Sequence, residues 1–132
     1  MTDALKGFIR LLPSASSTLP LVQTRFIKPE WIDDGHADEK GHFFYTNEER
    51  SVQVGFWQCT PFRETIVFPY DELGIVIAGR LRLVDAQGHA ETLSPGDMFF
   101  IPRGSSTTWH VLENFQQYYM IYAPRDTQYY HF

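Results

Sequence analysis

From residue 51 onward, apolar and polar positions alternate in short runs separated by chain breakers. Ser51–Cys59 carries Val52, Val54, Phe56 and Trp57, and Glu64–Phe68 forms a second run that stops at Pro69. Leu73–Ala78 is apolar and ends at Gly79; Arg80–Leu83 then alternates as a half-buried strand does. "DAQGHA", residues 85–90, reads as a hairpin turn, followed by a short Glu91–Leu93. Pro95-Gly96 suits a type II turn, with glycine supplying a positive φ at the third position. Met98–Ile101 is a buried strand, Pro102–Gly104 turns again, and Thr107–Leu112 and Phe115–Ala123 complete the set. About eight short strands with turns at roughly 8–12-residue spacing predict an all-β sandwich or barrel.

The first part of the chain lacks this rhythm. Residues 1–24 mix small polar residues with Pro13 and Pro20 and read as an arm, with one amphipathic turn at Ala4–Leu12. Residues 28–50 hold Pro29, Gly35, Gly41 and many charges, which predicts loop with short extended pieces. The expected division is an arm and loop region at 1–50 packing on the barrel or a partner subunit, a barrel at 51–123 and a tail at 124–132.

The chain of 132 residues suffices for one domain. A 16% aromatic content favours strands and apolar pockets. The net charge of −5 disfavours nucleic acid and anionic membranes as partners. Cys59 is the single cysteine, so an intrachain disulfide and a thiolate metal cage are excluded. Lys6 and Arg10 interrupt the amino-terminal hydrophobic residues, which argues against a signal peptide or membrane span and makes the cytoplasm the expected location.

Two spacings point to a known frame. Gly96 is followed after five residues by Pro102, Arg103 and Gly104, and Glu72 is followed after six by Gly79. These resemble the two motifs of the cupins, small antiparallel jelly-roll barrels. Gly55-Phe56-Trp57, Asp71-Glu72, "GDMFFIPRG" and Trp109 are similar to the small cupins related to (S)-ureidoglycine aminohydrolase and the ethanolamine-utilisation cupin Q. The resemblance spans about residues 51–123 and implies an antiparallel jelly-roll (cupin) barrel with an extended amino-terminal arm. It would place metal ligands at 66, 68, 72 and 107, where this chain has Ile66, Phe68, Glu72 and Thr107. One carboxylate and one hydroxyl do not make a transition-metal site. Thr60 and Val111 replace a motif glycine and a motif asparagine, and Gln117 stands where a basic residue is expected.

Glu72 is the candidate catalytic residue. Between Tyr70 and an apolar strand it either points into the barrel, where an aromatic pocket raises its pKa, or lies at the surface paired with Arg80 or Arg103. Thr107 and Trp109, two residues apart, share one strand face. Trp57, Tyr70, Thr107, Trp109 and Tyr119 are the expected pocket walls, with Arg63 or Arg103 anchoring an anionic group. A core filled with side chains is the competing reading. His110 falls on the opposite face. The segment "WIDDGHADEKGH" reads as a solvated acidic loop, Cys59 as a buried structural thiol, and Ser105-Ser106 lacks a nucleophile-elbow context.

The first expectation is a metal-independent, cofactor-free cupin that binds a small polar or nitrogen-containing molecule and acts on it by acid/base chemistry. The second is a non-catalytic binding or dimerisation protein with a filled barrel. The third is a metal enzyme with non-standard ligands, Glu72 joined by histidines of the 33–42 loop. A homodimer is expected in each case, because edge strands need cover.

Overall fold

The computed structural model describes residues 7–11 and 19–123. Eleven strands follow in chain order: β1 Val22–Gln23, β2 Ile32–Gly35, β3 Glu39–Thr46, β4 Val52–Cys59, β5 Phe62–Val67, β6 Asp71–Ala78, β7 Leu81–Asp85, β8 Ala90–Leu93, β9 Met98–Ile101, β10 Ser106–Val111 and β11 Phe115–Tyr122. Among the described residues there is no α-helix, only a 3-10 turn at Pro29–Trp31. It follows that no helix there is long and apolar enough to cross a membrane.

The strands form two antiparallel sheets. One has six strands in the order β1-β3-β4-β11-β6-β9, the other five in the order β2-β5-β10-β7-β8. The chain passes from one sheet to the other at every connection except the β3/β4 and β7/β8 hairpins, which gives the expected jelly roll. The turns behave as their sequences require. Gly96 has φ +96° while Asp97 N donates to Ser94 O at 2.9 Å, and Gly104 has φ +90° while Ser105 N donates to Pro102 O at 3.1 Å.

The strands expected beyond residue 51 are present, with ends shifted by a residue or two. The region before it differs from expectation. Residues 39–46 form a full eight-residue strand paired along β4, and β1 and β2 extend the two sheets, so the sheets begin well before residue 51. The acidic-loop reading is corrected at one residue: Asp33, Asp34, His36 and Asp38 are exposed, but Glu39 is 6% exposed and points into the barrel. The pattern was hidden because β3 turns polar Glu39 and side-chain-free Gly41 inward. Of the Ala4–Leu12 turn, residues 7–11 are described and contain no helix. The rest of that turn and the 124–132 tail lie outside the described residues.

The five-stranded sheet has the usual polarity. Phe62, Ile66, Leu81, Trp109 and Val111 point inward and are buried, each worth about 1.5–3 kcal/mol. The six-stranded sheet is mixed. Beside buried Trp57, Val76, Tyr119 and Ile121 its inner face carries Glu39, Gln53, Glu72 and Gln117, all buried, while Met98, Phe100 and Met120 are exposed on its outside. Two inner glycines make room for rings: a Cβ on Gly74 would collide with Phe99, and one on Gly55 would lie 2.6 Å from Cζ of Tyr119.

Candidate functional site

Inside the barrel, between the sheets, is a cavity of about 30 Å³, room for water-sized occupants. Glu72 reaches it from β6, Glu64 from β5, Gln117 and Tyr119 from β11, Trp57 from β4 and Trp109 from β10. Alternation does the placing. On β5, Phe62, Glu64 and Ile66 are buried while Arg63, Thr65 and Val67 are exposed. Register puts Trp109 directly opposite Glu64.

Glu72 is 4% exposed and accepts a 2.8 Å hydrogen bond at Oε2 from Gln117 Nε2. Burial pushes its carboxyl up to about 8, although the Gln117 bond favours the charged form. Glu64 is also raised to about 8, first by burial and then by the charges of Glu39, Glu72 and Asp33. Its Oε1 has no hydrogen-bond partner, nor have Gln117 Oε1 and Trp109 Nε1. Tyr70 and Tyr119 are held well above their ordinary range, again by burial first and by Glu72 second. The lumen is therefore an acidic, poorly hydrated chamber.

Glu39 plays a different part. It accepts from Thr24 Oγ1 at 2.6 Å, Phe26 N at 3.0 Å, Ile27 N at 2.9 Å and Trp57 Nε1 at 3.1 Å. Those bonds draw residues 24–27 over the lumen as a strap, and Phe26 and Ile27 form part of the cavity wall. Phe26 meets Tyr119 edge-on, with ring centroids 5.8 Å apart. The Tyr119 hydroxyl donates to Gln53 Oε1 at 2.6 Å.

Five of the expected site residues come together here: Glu72, Trp57, Tyr70, Trp109 and Tyr119. Trp109 stacks on Phe68 at 5.9 Å and meets Trp57 edge-on at 6.3 Å. Three do not join them. Thr107 is buried on the same strand face as Trp109, but it lines a separate open recess of about 620 Å³ next to β8 and β9. Arg63 lies on the outer side of β5, 4.0 Å from Asp33, because a strand sends adjacent residues to opposite faces. Arg103 sits exposed in the turn before β10, its backbone N donating to Asp71 Oδ1 at 2.7 Å. The proposed surface pairing of Glu72 is not made, as Arg80 instead binds Glu113 at 2.7 Å.

His110 falls on the outward side of β10, as expected. Cys59 is buried and its thiol is pushed up by burial and by Glu39 and Glu64, which suits a structural role. His36 lies 3.3 Å from Asp38 in an exposed pair, whereas His42 Nδ1 is 2.8 Å from Pro20 O, so neither histidine reaches Glu72's cavity. Sequence reasoning missed Glu39 and Glu64. Glu64 was findable, since Phe62, Glu64, Ile66 and Phe68 share one face by simple alternation.

The metal that the cupin resemblance implies does not fit these residues. Ile66 and Phe68 offer hydrocarbon, and Thr107 opens on the other recess. Among the described residues no group of three or more His, Cys, Asp or Glu side chains is arranged to hold an ion.

Comparison with known proteins agrees with the barrel. The fold matches a Pseudomonas syringae protein of unknown function at TM-score 0.74 and 19% identity, over 79% of this chain and 45% of that one. The chain thus spans less than half of that protein's length. It matches a putative ethanolamine utilization protein Q from Salmonella typhimurium at TM-score 0.56 and 24% identity, over 64% and 69% of the two chains. The Clostridium difficile EutQ protein matches at TM-score 0.58 and 22% identity, over 78% and 77%. These likenesses concern the fold. No curated protein sequence matches the chain. The profile of the EutQ-like cupin domain matches residues 46–119, more than half of the chain, and the protein accordingly belongs to the EutQ-like cupin family.

Proposed function

We propose that the barrel lumen binds a small polar or nitrogen-containing metabolite and that Glu72 exchanges a proton with it, in the cytoplasm and without a metal or cofactor. The observation that carries this reading is a fully enclosed carboxyl with a pKa of about 8, held by Gln117 beside a cavity. An acid tuned close to neutral pH both gives and takes a proton readily. Glu64, raised into the same range, supplies a second proton carrier on the opposite sheet. A ligand larger than water has to lift the Phe26–Ile27 strap, which makes Glu39 the latch of the site.

Thermal-shift screening of small polar compounds against wild type and Glu72→Gln tests the reading. A saturable stabilisation that weakens tenfold or more in the variant is expected. Equal response of both proteins to every compound would sink it, and a stoichiometric, tightly held metal on elemental analysis would overturn metal independence.

The small size of the cavity favours a second reading, a filled barrel whose business lies on its surface. The outer face of the six-stranded sheet supports self-association under either reading. Met98 and Phe100 on β9 and Met120 and Tyr122 on β11 are 59%, 58%, 45% and 48% exposed and flank Leu73 of β6, an apolar patch that a second copy would cover.

A further inference from the structure

Every buried ionisable carboxyl or amine side chain among the described residues is a glutamate: Glu39, Glu64 and Glu72. No lysine, arginine or histidine lines the cavity. The three do not stand alike. Glu39 is saturated by four donors, and Glu72 has the Gln117 amide. Glu64 Oε1 and Gln117 Oε1 are acceptors with nothing to accept from. An acceptor buried without a donor is costly, and no cationic side chain lines the cavity to supply one at these two atoms. Its walls include the faces of Trp57, Phe68 and Trp109, which favour cations, and Trp109 Nε1 is an unpartnered donor.

We infer that the ligand of the lumen carries a protonated primary amine, whose ammonium group donates to Glu64 Oε1 and Gln117 Oε1 and lies beside Glu72. This rests on the proposal that the lumen is a binding site and names the class of molecule it takes. A primary ammonium has three donors, two for the orphaned acceptors and one for Glu72. A quaternary ammonium has none and is too large for a cavity of about 30 Å³. The rest of an amine leaves under the strap at Phe26 and Ile27. Trp109 Nε1, the donor left over, meets a retained water or an acceptor on the ligand.

The charge balance gives a signature. The groups facing Glu64 and Glu72 are Glu39 from β3, Cys59 from β4, Tyr70 ahead of β6 and Tyr119 from β11, with Asp33 outside on β2; none is cationic. With both carboxyls raised to about 8, the empty site holds its protons at neutral pH. An arriving ammonium keeps its own protons and stabilises the Glu64 carboxylate it donates to, so the Glu64 proton leaves to solvent for each amine bound.

Calorimetric titration of the full chain with methylammonium, tetramethylammonium, acetate and urea, each in two buffers of different ionisation enthalpy, tests this. Methylammonium is expected to bind alone among the four, to release about one proton at pH 7, and to bind several-fold more tightly at pH 8. Glu64→Gln is expected to weaken it at least tenfold and to lose the proton release, while Arg63→Ala, on the other face of the same strand, leaves both unchanged. Since Glu64→Gln removes a buried acid without changing shape, circular dichroism of the variant separates misfolding from lost binding. Urea or acetate binding in methylammonium's place, sensitive to Glu72→Gln, overturns the amine assignment and leaves the lumen reading standing. Binding by none of the four overturns the amine assignment, and an equal response of wild type and Glu72→Gln in the wider screen then removes the lumen reading too. Methylammonium binding that survives Glu64→Gln and Glu72→Gln alike puts the amine elsewhere and also overturns it.

Discussion

On the five-stranded sheet, Phe62, Ile66, Leu81 and Val111 face inward while Arg63, Thr65 and Arg82 face solvent. On the six-stranded sheet, Glu39, Gln53, Glu72 and Gln117 face inward while Leu73, Met98, Phe100 and Met120 face out. The first sheet supplies a core that is apolar apart from Glu64 and Thr107. The second sets its polar groups among buried Trp57, Val76, Tyr119 and Ile121, and that mixture is stable only if its inner polar groups find partners and its outer apolar groups find cover. Glutamine–glutamate and tyrosine–glutamine bonds meet most of the first demand. Residues 7–11 meet part of the second: Tyr118 Oη on the outer face donates to Leu11 O at 3.2 Å.

The strongest way to break this contrast is at Glu39. Glu39→Ala strips the acceptor from four donors at once, and a loss of about 3–5 kcal/mol in urea unfolding is expected. Hydrogen exchange at the Phe26 and Ile27 amides should speed up in parallel. Unaltered protection of those amides would show that the strap is held by something else.

Next in size is pH. The folded carboxyls of Glu64 and Glu72 sit near 8 against an ordinary 4.5. Between those values the folded chain keeps protons that the unfolded chain gives up. Stability is therefore full below about 4.5, falls as pH rises, and levels off above about 8. A loss of up to about 5 kcal/mol for each carboxyl is expected across that window. Glu72→Gln should flatten the slope and leave the variant the more stable protein at pH 8.5. A thermal melt series from pH 5 to 9 decides it, and parallel curves for the two proteins would count against a buried acid.

The outer face responds through mass more than through melting. Phe100→Glu puts a charge in the exposed apolar patch and is expected to convert a dimer to a monomer by light scattering, with the monomer's own stability altered by less than about 1 kcal/mol. A wild-type monomer would refute self-association outright. The smallest effect is expected at Arg63, on the solvent side of the conventional sheet. Arg63→Ala removes a half-exposed 4.0 Å pairing with Asp33 and should cost no more than about 0.5 kcal/mol.

The same contrast explains what could be read from the chain. Strands β4 to β11 were legible because an apolar residue at every second position marks a buried face, and glycine or proline marks each turn. Strand β3 was not, because its inward positions are a glutamate and a glycine, and charge in a stretch of loop-like composition reads as solvated. Glu72 was legible from its neighbours. Thr107 was assigned to the wrong chamber, since alternation fixes which face a residue occupies and says nothing about how far along the barrel it lies. Glu39's four-donor cluster depends on Thr24, Phe26, Ile27 and Trp57 meeting across the fold, and only tertiary structure brings them there.

Glu39 also bears on how the sheet chooses its alignment. Strand β3 begins Glu39-Lys40-Gly41, and a slide of one residue against β4 would carry Lys40 into the lumen and turn Glu39 to solvent. The lysine would arrive among donors that it cannot satisfy, and Phe56 O would lose the clearance that Gly41 gives it. A strand with so weak an apolar code is thus held to one pairing by a charge whose only adequate set of partners exists in the correct alignment.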